Sequence, residues 1–127
     1  PIDLWDLIKQ HFKEMNASLD FHEVMISSGV VSKAVLDLLI TRVFDQSSMS
    51  YRFFAIGGGA VIDYTKHLIL YGLNNAYVID NFITVPTTAG SGSERTSFAV
   101  IFDKLGNKKS IQDKRIKPNH VYYKQTS

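Results

Sequence analysis

The chain has no cysteine, which excludes disulfide bridges, thiolate zinc centres and cysteine nucleophiles and fits a cytoplasmic protein. It also lacks any strong excess of one charge: 14 Lys and Arg face 12 Asp and Glu, a formal net charge of +2. The lysines from Lys104 to Lys124 are interrupted by apolar and acidic residues, as on a solvated face. No nucleic-acid partner is expected. There is no signal-peptide pattern and no apolar run approaching the roughly eighteen residues of a membrane span, so no membrane partner is expected either. The four histidines, His11, His22, His67 and His120, are scattered, and none has the spacing that a compact metal site prefers. His67 is expected on the exposed side of its helix, and no metal ligand is assigned. No Ser-His-Asp or paired-carboxylate arrangement can be argued from spacing. The G-x-G-x-x-G fingerprint and the G-x-x-x-x-G-K-[ST] loop are both absent.

What is present is the make-up of an ordinary globular chain. Hydrophobic residues are 45% and charged residues 20%, and 127 residues suit one domain that buries about two-thirds of its unfolded surface. Apolar residues at Leu4, Trp5, Leu7, Ile8, Phe12 and Met15 predict a helix over 3–16, with Asp3 as its N-cap. A weak alternation around Val24 and Ile26 predicts a strand over 22–28. Ser32 can cap a second helix with a wide apolar stripe through Val35, Leu36, Leu38, Leu39, Ile40 and Val43. A strand over 51–57, a helix over 60–72, a loop through Gly72–Asn75 and a strand over 82–86 follow. Helix and strand alternate at the pace of β-α-β units, which predicts a parallel α/β sheet. Beyond it, Phe98–Asp103 and Lys108–Ile111 flank Lys104-Leu105-Gly106-Asn107, the chemistry of a hairpin and hence of a small β-flap.

Two glycine-rich loops carry the functional signal. Each follows an apolar strand-like run: Phe53-Phe54-Ala55-Ile56-Gly57-Gly58-Gly59-Ala60-Val61-Ile62-Asp63-Tyr64-Thr65-Lys66, and Phe82-Ile83-Thr84-Val85-Pro86-Thr87-Thr88-Ala89-Gly90-Ser91-Gly92-Ser93-Glu94. A strand that runs through glycines into a helix presents bare N–H groups and the positive end of the helix dipole, a setting for phosphate. The second loop adds the hydroxyls of Thr87, Thr88, Ser91 and Ser93. As ordinary structure, the first loop would be a tight strand-to-helix turn, the threonines a local cap, and Asp63 and Lys66 a surface i,i+3 ion pair worth a few tenths of a kcal/mol.

These segments resemble the iron-containing (group III) alcohol dehydrogenases. Ala55–Lys66 is similar to that family's A-I-G-G-G-S-x-x-D-x-x-K, and Val85–Glu94 to its P-T-T-A-G-T-G-S-E. Thr96–Ile101, Lys108-Lys109 and Ile116-Lys117-Pro118 follow in the family's order. The resemblance implies a Rossmann-like α/β fold, the dehydroquinate-synthase-like N-terminal domain, with a parallel sheet, flanking helices and a small β-hairpin flap. It implies NAD or NADP as cofactor, a small alcohol or aldehyde as substrate, and a homo-oligomer. Gly58, Gly59 and Ala60 would meet the pyrophosphate, and Asp63 the nicotinamide end. Thr87, Thr88 and Ser91 would lie on the ribose and phosphate side, with Thr96 and Lys109 as further contacts. Ala60 stands where the family has Ser, which removes one side-chain donor, and Ser91 stands where it has Thr, which keeps the hydroxyl.

In that family Fe or Zn sits in a separate helical domain, on an Asp and three His from motifs such as G-x-D-A-x-x-H. That motif does not occur here. The expectation is therefore a single NAD(P)-binding domain over 1–127, truncated and without the metal-binding domain, and inactive by itself. Two other readings stay open: a non-catalytic nucleotide-binding or interaction module, and a fragment of a dehydroquinate-synthase-like cyclase, against which the P-T-T-A-G-S-G-S-E segment argues.

Overall fold

The structure is a computed structural model that describes residues 6–7, 10, 21–26, 29–46, 48–87 and 92–123. Most of the helix expected over 3–16 lies outside these residues; Asp6, Leu7 and Gln10 are helical. The strand expected at 22–28 does not form over 22–26, which are irregular. Val24 and Ile26 instead lay their side chains against the core. An alternation of two residues is too short to fix a strand, and among the described residues no partner strand pairs with it.

Ser32 caps helix α1 (Lys33–Val43), its hydroxyl accepting from Val35 N–H at 3.2 Å. The stripe is narrower than its sequence suggests: Leu36 and Leu39 are buried, whereas Val35 and Leu38 face outward. Phe44 ends the helix in a ring cluster, 5.1 Å from Tyr51 and 4.6 Å from Tyr77 between centroids.

Strand β1 (Ser50–Gly57), helix α2 (Gly59–Asn74) and strand β2 (Val78–Pro86) form a β-α-β unit. The two strands are parallel, in register from Ser50↔Val78 to Gly57↔Pro86 with one irregularity at Tyr51/Arg52. Of the loop expected at Gly72–Asn75, residues 72–74 belong to the last turn of α2, and Asn75 is its C-cap. Antiparallel strands β3 (Phe98–Phe102) and β4 (Lys108–Gln112) make the expected hairpin. Its turn closes on Asp103, whose carboxylate accepts from Leu105 N–H at 2.9 Å and Asn107 N–H at 2.8 Å. Strand β5 (His120–Val121) lies parallel beside β2, which gives the sheet order β1-β2-β5. The parallel α/β sheet with an added hairpin is the architecture that the alternating pattern predicts.

Helix α2 lies between the two halves of the core. One cluster gathers Leu36, Leu39, Phe44, Tyr64, Leu68 and Ile101, and the other Ala55, Ile62, Ile69, Phe82 and Ile116. Each Leu, Ile or Phe among them contributes about 1.5–3 kcal/mol by leaving water. Every residue from Ile62 to Ile69 is buried. A helix buried all round is normally apolar all round, yet this one carries Asp63, Thr65, Lys66 and His67 inside it. Those side chains must find partners within the protein.

Candidate functional site

The first glycine loop leaves the carboxyl end of β1 and enters α2 at once. A Cβ on Gly57 would lie 2.7 Å from Val61 Cγ2, so the close approach of the helix requires glycine there. Gly58 is the N-cap, with φ −87° and ψ −166°, and no side chain caps the helix. That backbone conformation is open to any residue, and Ser or Asp there would cap α2 better than glycine does. The first intrahelical bond runs from Ile62 N–H to Gly58 O at 3.2 Å. The N–H groups of Gly59, Ala60 and Val61 therefore precede the helical ladder and face the positive end of the dipole.

The second loop starts beside the first. Gly57 pairs with Pro86, and Thr87 N–H donates to Gly57 O at 3.0 Å. Thr87 is exposed at this edge. Thr88 and Ser91 lie outside the described residues. The loop returns at Gly92, whose φ of 74° suits glycine, and passes into the 3₁₀ turn Ser93–Arg95. Both loops thus meet at the carboxyl edge of adjacent parallel strands, where open α/β sheets bind ligands.

Behind this edge lies the polar face of α2. Lys66 is fully buried, with Nζ 2.6 Å from Ser93 O, 3.2 Å from Ser93 Oγ, 3.1 Å from Thr96 Oγ1 and 2.8 Å from Phe98 O. Asp63 Oδ1 accepts from the Ser93 hydroxyl at 2.5 Å, and Oδ2 from Val100 N–H at 3.2 Å. His67 Nε2 lies 2.9 Å from Val100 O; since a carbonyl only accepts, that nitrogen carries the proton. Phe102 N–H donates to Val31 O at 2.8 Å. In the hairpin, Phe98, Val100 and Phe102 turn their backbone groups away from β4. The side chains of α2 thus act as the missing neighbour of a strand that would otherwise bury an unpaired edge.

Burial brings the Lys66 ammonium down to about 8, against the pull of Asp63 and Glu94. Burial likewise lowers the pKa of His67, opposed by its bond to Val100. Two sequence expectations change here. His67 is not on an exposed face, and Asp63 and Lys66 are not a surface pair, because the hairpin folds back over the side of α2 that was expected to meet water. Thr96 sits in the Lys66 cage. Lys109 stands on β4, exposed, 3.8 Å from Asp103 Oδ2. The structure gathers Gly58, Gly59, Ala60 and Thr87 at one edge, with Asp63 and Thr96 behind it.

Spacing alone missed Lys66, His67 and Ser93 as structural partners. The available signal was a set of ionisable residues at i, i+3 and i+4 in a helix otherwise rich in Ile, Leu and Tyr. Among the described residues, no three of His, Cys, Asp and Glu gather where they could hold a metal ion.

Residues 4–124 match the family model of iron-containing alcohol dehydrogenase. A mitochondrial hydroxyacid-oxoacid transhydrogenase of Caenorhabditis elegans is 33% identical over 73% of this chain and 23% of its own length. A 1-propanol dehydrogenase of Salmonella typhimurium is 38% identical over 37% of this chain and 13% of its own length. Among solved structures, an iron-containing alcohol dehydrogenase from Thermotoga maritima superposes with a TM-score of 0.75 at 19% identity, covering 94% of this chain and 35% of that one. An alcohol dehydrogenase from Oenococcus oeni gives 0.73 at 19% identity, covering 96% and 35%. The chain spans about a quarter or less of these curated relatives and about a third of the solved chains.

Proposed function

The chain belongs to the iron-containing alcohol dehydrogenase family, and from that premise we propose that it forms the dinucleotide-binding part of an oxidoreductase acting on a small alcohol or aldehyde. The observation that carries this reading is the glycine N-cap of α2. It has an ordinary conformation and no side-chain cap, and Thr87, just past the neighbouring strand, bonds to Gly57 beside it. Conformation does not call for glycine at position 58, whereas a phosphate brought against the backbone does.

The residues fit a dinucleotide. The N–H groups of Gly58, Gly59 and Ala60 would hold the pyrophosphate, and Thr87, with Thr88 and Ser91, the adjoining ribose and phosphate. Ala60 offers its backbone but no hydroxyl. Asp63 has one bond on each oxygen and keeps lone pairs for the nicotinamide end. Thr96 and Lys109 lie further along the chain, on the hairpin side. When bound, the nicotinamide ring supplies or accepts the hydride, while the protein contributes position and electrostatics. Among the described residues no three of His, Cys, Asp and Glu gather to hold a metal ion, so none of these residues is assigned to one.

Calorimetric titration of the chain with NADH and with NADPH tests the proposal. Saturable one-to-one binding of at least one is expected, and heats no larger than those of dilution for both would overturn it.

A further inference from the structure

The second glycine loop is tied at both ends to the strand and helix that carry the first. Its start is held where Thr87 N–H meets Gly57 O at 3.0 Å. Its return is held at Ser93, whose carbonyl lies 2.6 Å from Lys66 Nζ and whose hydroxyl donates to Asp63 at 2.5 Å. Gly92, the last residue before that anchor, has φ 74° and open space around it. The backbone there imposes a turn. The bonds from α2 seize the residue that follows it, Ser93.

We infer that Lys66 is the positioning residue of the candidate dinucleotide site: its ammonium draws Ser93, Thr96 and strand β3 onto α2, and so sets where the chain returns beside the first loop. The inference rests on the cofactor reading above. It follows from donor arithmetic. Four oxygens face one Nζ, and three of those contacts reach back to residues 93 and 96, at the loop's return. An ammonium has three N–H donors to share among them, and a neutral amine has only two. An apolar side chain of the same length would leave the Ser93 and Phe98 carbonyls without this donor, and the return would be free to move from α2. The titratable groups around Nζ are Asp63 and His67 on α2 and Glu94 on the 3₁₀ turn, and both carboxylates favour the ammonium. Lys66 itself need not touch the cofactor; it acts through Ser93 and Thr96.

Because the chain has no cysteine, Lys66→Cys creates a single thiol that can be alkylated in denaturant before refolding. Bromoethylamine restores a lysine-like ammonium at that site, whereas bromopropane restores its volume alone. The expected result is a tenfold or greater loss of NADH affinity in Lys66→Met and in the propylated protein, with recovery to within threefold on aminoethylation. Equal affinity of Lys66→Met and the parent would overturn the inference, as would equal rescue by the two alkyl groups.

Amide exchange followed by NMR gives a second reading that does not depend on refolding. In the parent, saturating NADH is expected to slow exchange at Thr96 and Val100, since coupling between a site and its support is reciprocal. Exchange there that ignores NADH would overturn the inference even if no Lys66 variant folds. If the parent binds neither NADH nor NADPH, it is the cofactor reading that fails. Exchange at Thr96 and Val100 in Lys66→Met then still decides whether Lys66 holds the loop's return, with rates like the parent's counting against it.

Discussion

Asp63 and His67, one turn apart on α2, hold both backbone polar groups of a single residue. Asp63 Oδ2 accepts from Val100 N–H at 3.2 Å, and His67 Nε2 donates to Val100 O at 2.9 Å. A helix thereby offers a strand the donor and acceptor pair that a neighbouring strand would normally provide. The arrangement explains why ionisable side chains occupy the middle of the core, and it joins the hairpin to the helix whose first turn is the glycine loop.

Removing one member of that pair is expected to leave an orphaned backbone group. Asp63→Ala should cost about 1–3 kcal/mol, the penalty of a buried polar group without its partner. Asp63→Asn, which keeps a carbonyl oxygen, should cost less. Urea denaturation gives the two values, and faster amide exchange confined first to residues 98–102 would identify the hairpin as the part released. Equal midpoints for Asp63→Ala and the parent would show that the contact carries no stability.

The two buried bases make stability depend on pH in two windows with the same sign. Lys66 has a folded pKa near 8 against an ordinary value of 10.5, so between these limits the unfolded chain binds more protons and stability rises with pH. The full rise is about 3 kcal/mol, at roughly 1.4 kcal/mol for each unit of difference. His67 is also held below its ordinary 6.5. Its contribution is present above that pH and is lost as the pH falls towards the folded value. Urea midpoints in parallel for the parent and Lys66→Met should diverge steadily from pH 8 to 10.5. Parallel curves would show that Lys66 titrates normally.

Gly57 is expected to tolerate no side chain while Val61 keeps its methyl groups. Gly57→Ala places a Cβ 2.7 Å from Val61 Cγ2 and 2.9 Å from its Cβ, an overpacking that typically costs about 1–3 kcal/mol. Val61→Ala removes the nearer atom, so the double variant should recover part of the loss. A coupling energy near zero in that cycle would mean that α2 shifts freely away from β1.

Gly58 separates folding from binding. Gly58→Asp supplies a cap and a negative charge at the helix N-terminus, so thermal stability should hold or rise by a few tenths of a kcal/mol. The same carboxylate would occupy and repel the pyrophosphate position, and NADH affinity should fall at least tenfold. A variant that binds as well as the parent would reduce the glycine loop to a turn.

Much of this was legible in the sequence. The apolar runs over 51–57 and 82–86, the Ser32 cap and the Lys104–Asn107 turn each depend on a few consecutive residues, and each took the form their chemistry favours. So did the meeting of the two glycine loops, since parallel strands joined by one helix must end at the same edge. The strand expected near Val24 failed because a strand needs a partner, which no short segment specifies.

The polar face of α2 is the clearest case of what the sequence left open. Asp63, Lys66 and His67 are local facts, but their meaning lies 27 to 37 residues away, at Ser93, Phe98 and Val100. Periodicity marks such residues as solvent-facing because, in an isolated helix, water is their best partner. Only when the hairpin folds back does it bring an unpaired strand edge to that face. The chain itself determined its elements, its parallel sheet and its two loops through short-range sterics and apolar spacing. The tertiary structure decided which buried charges would hold the loops in place, because hydrogen-bond partners are set by proximity in space and not along the chain.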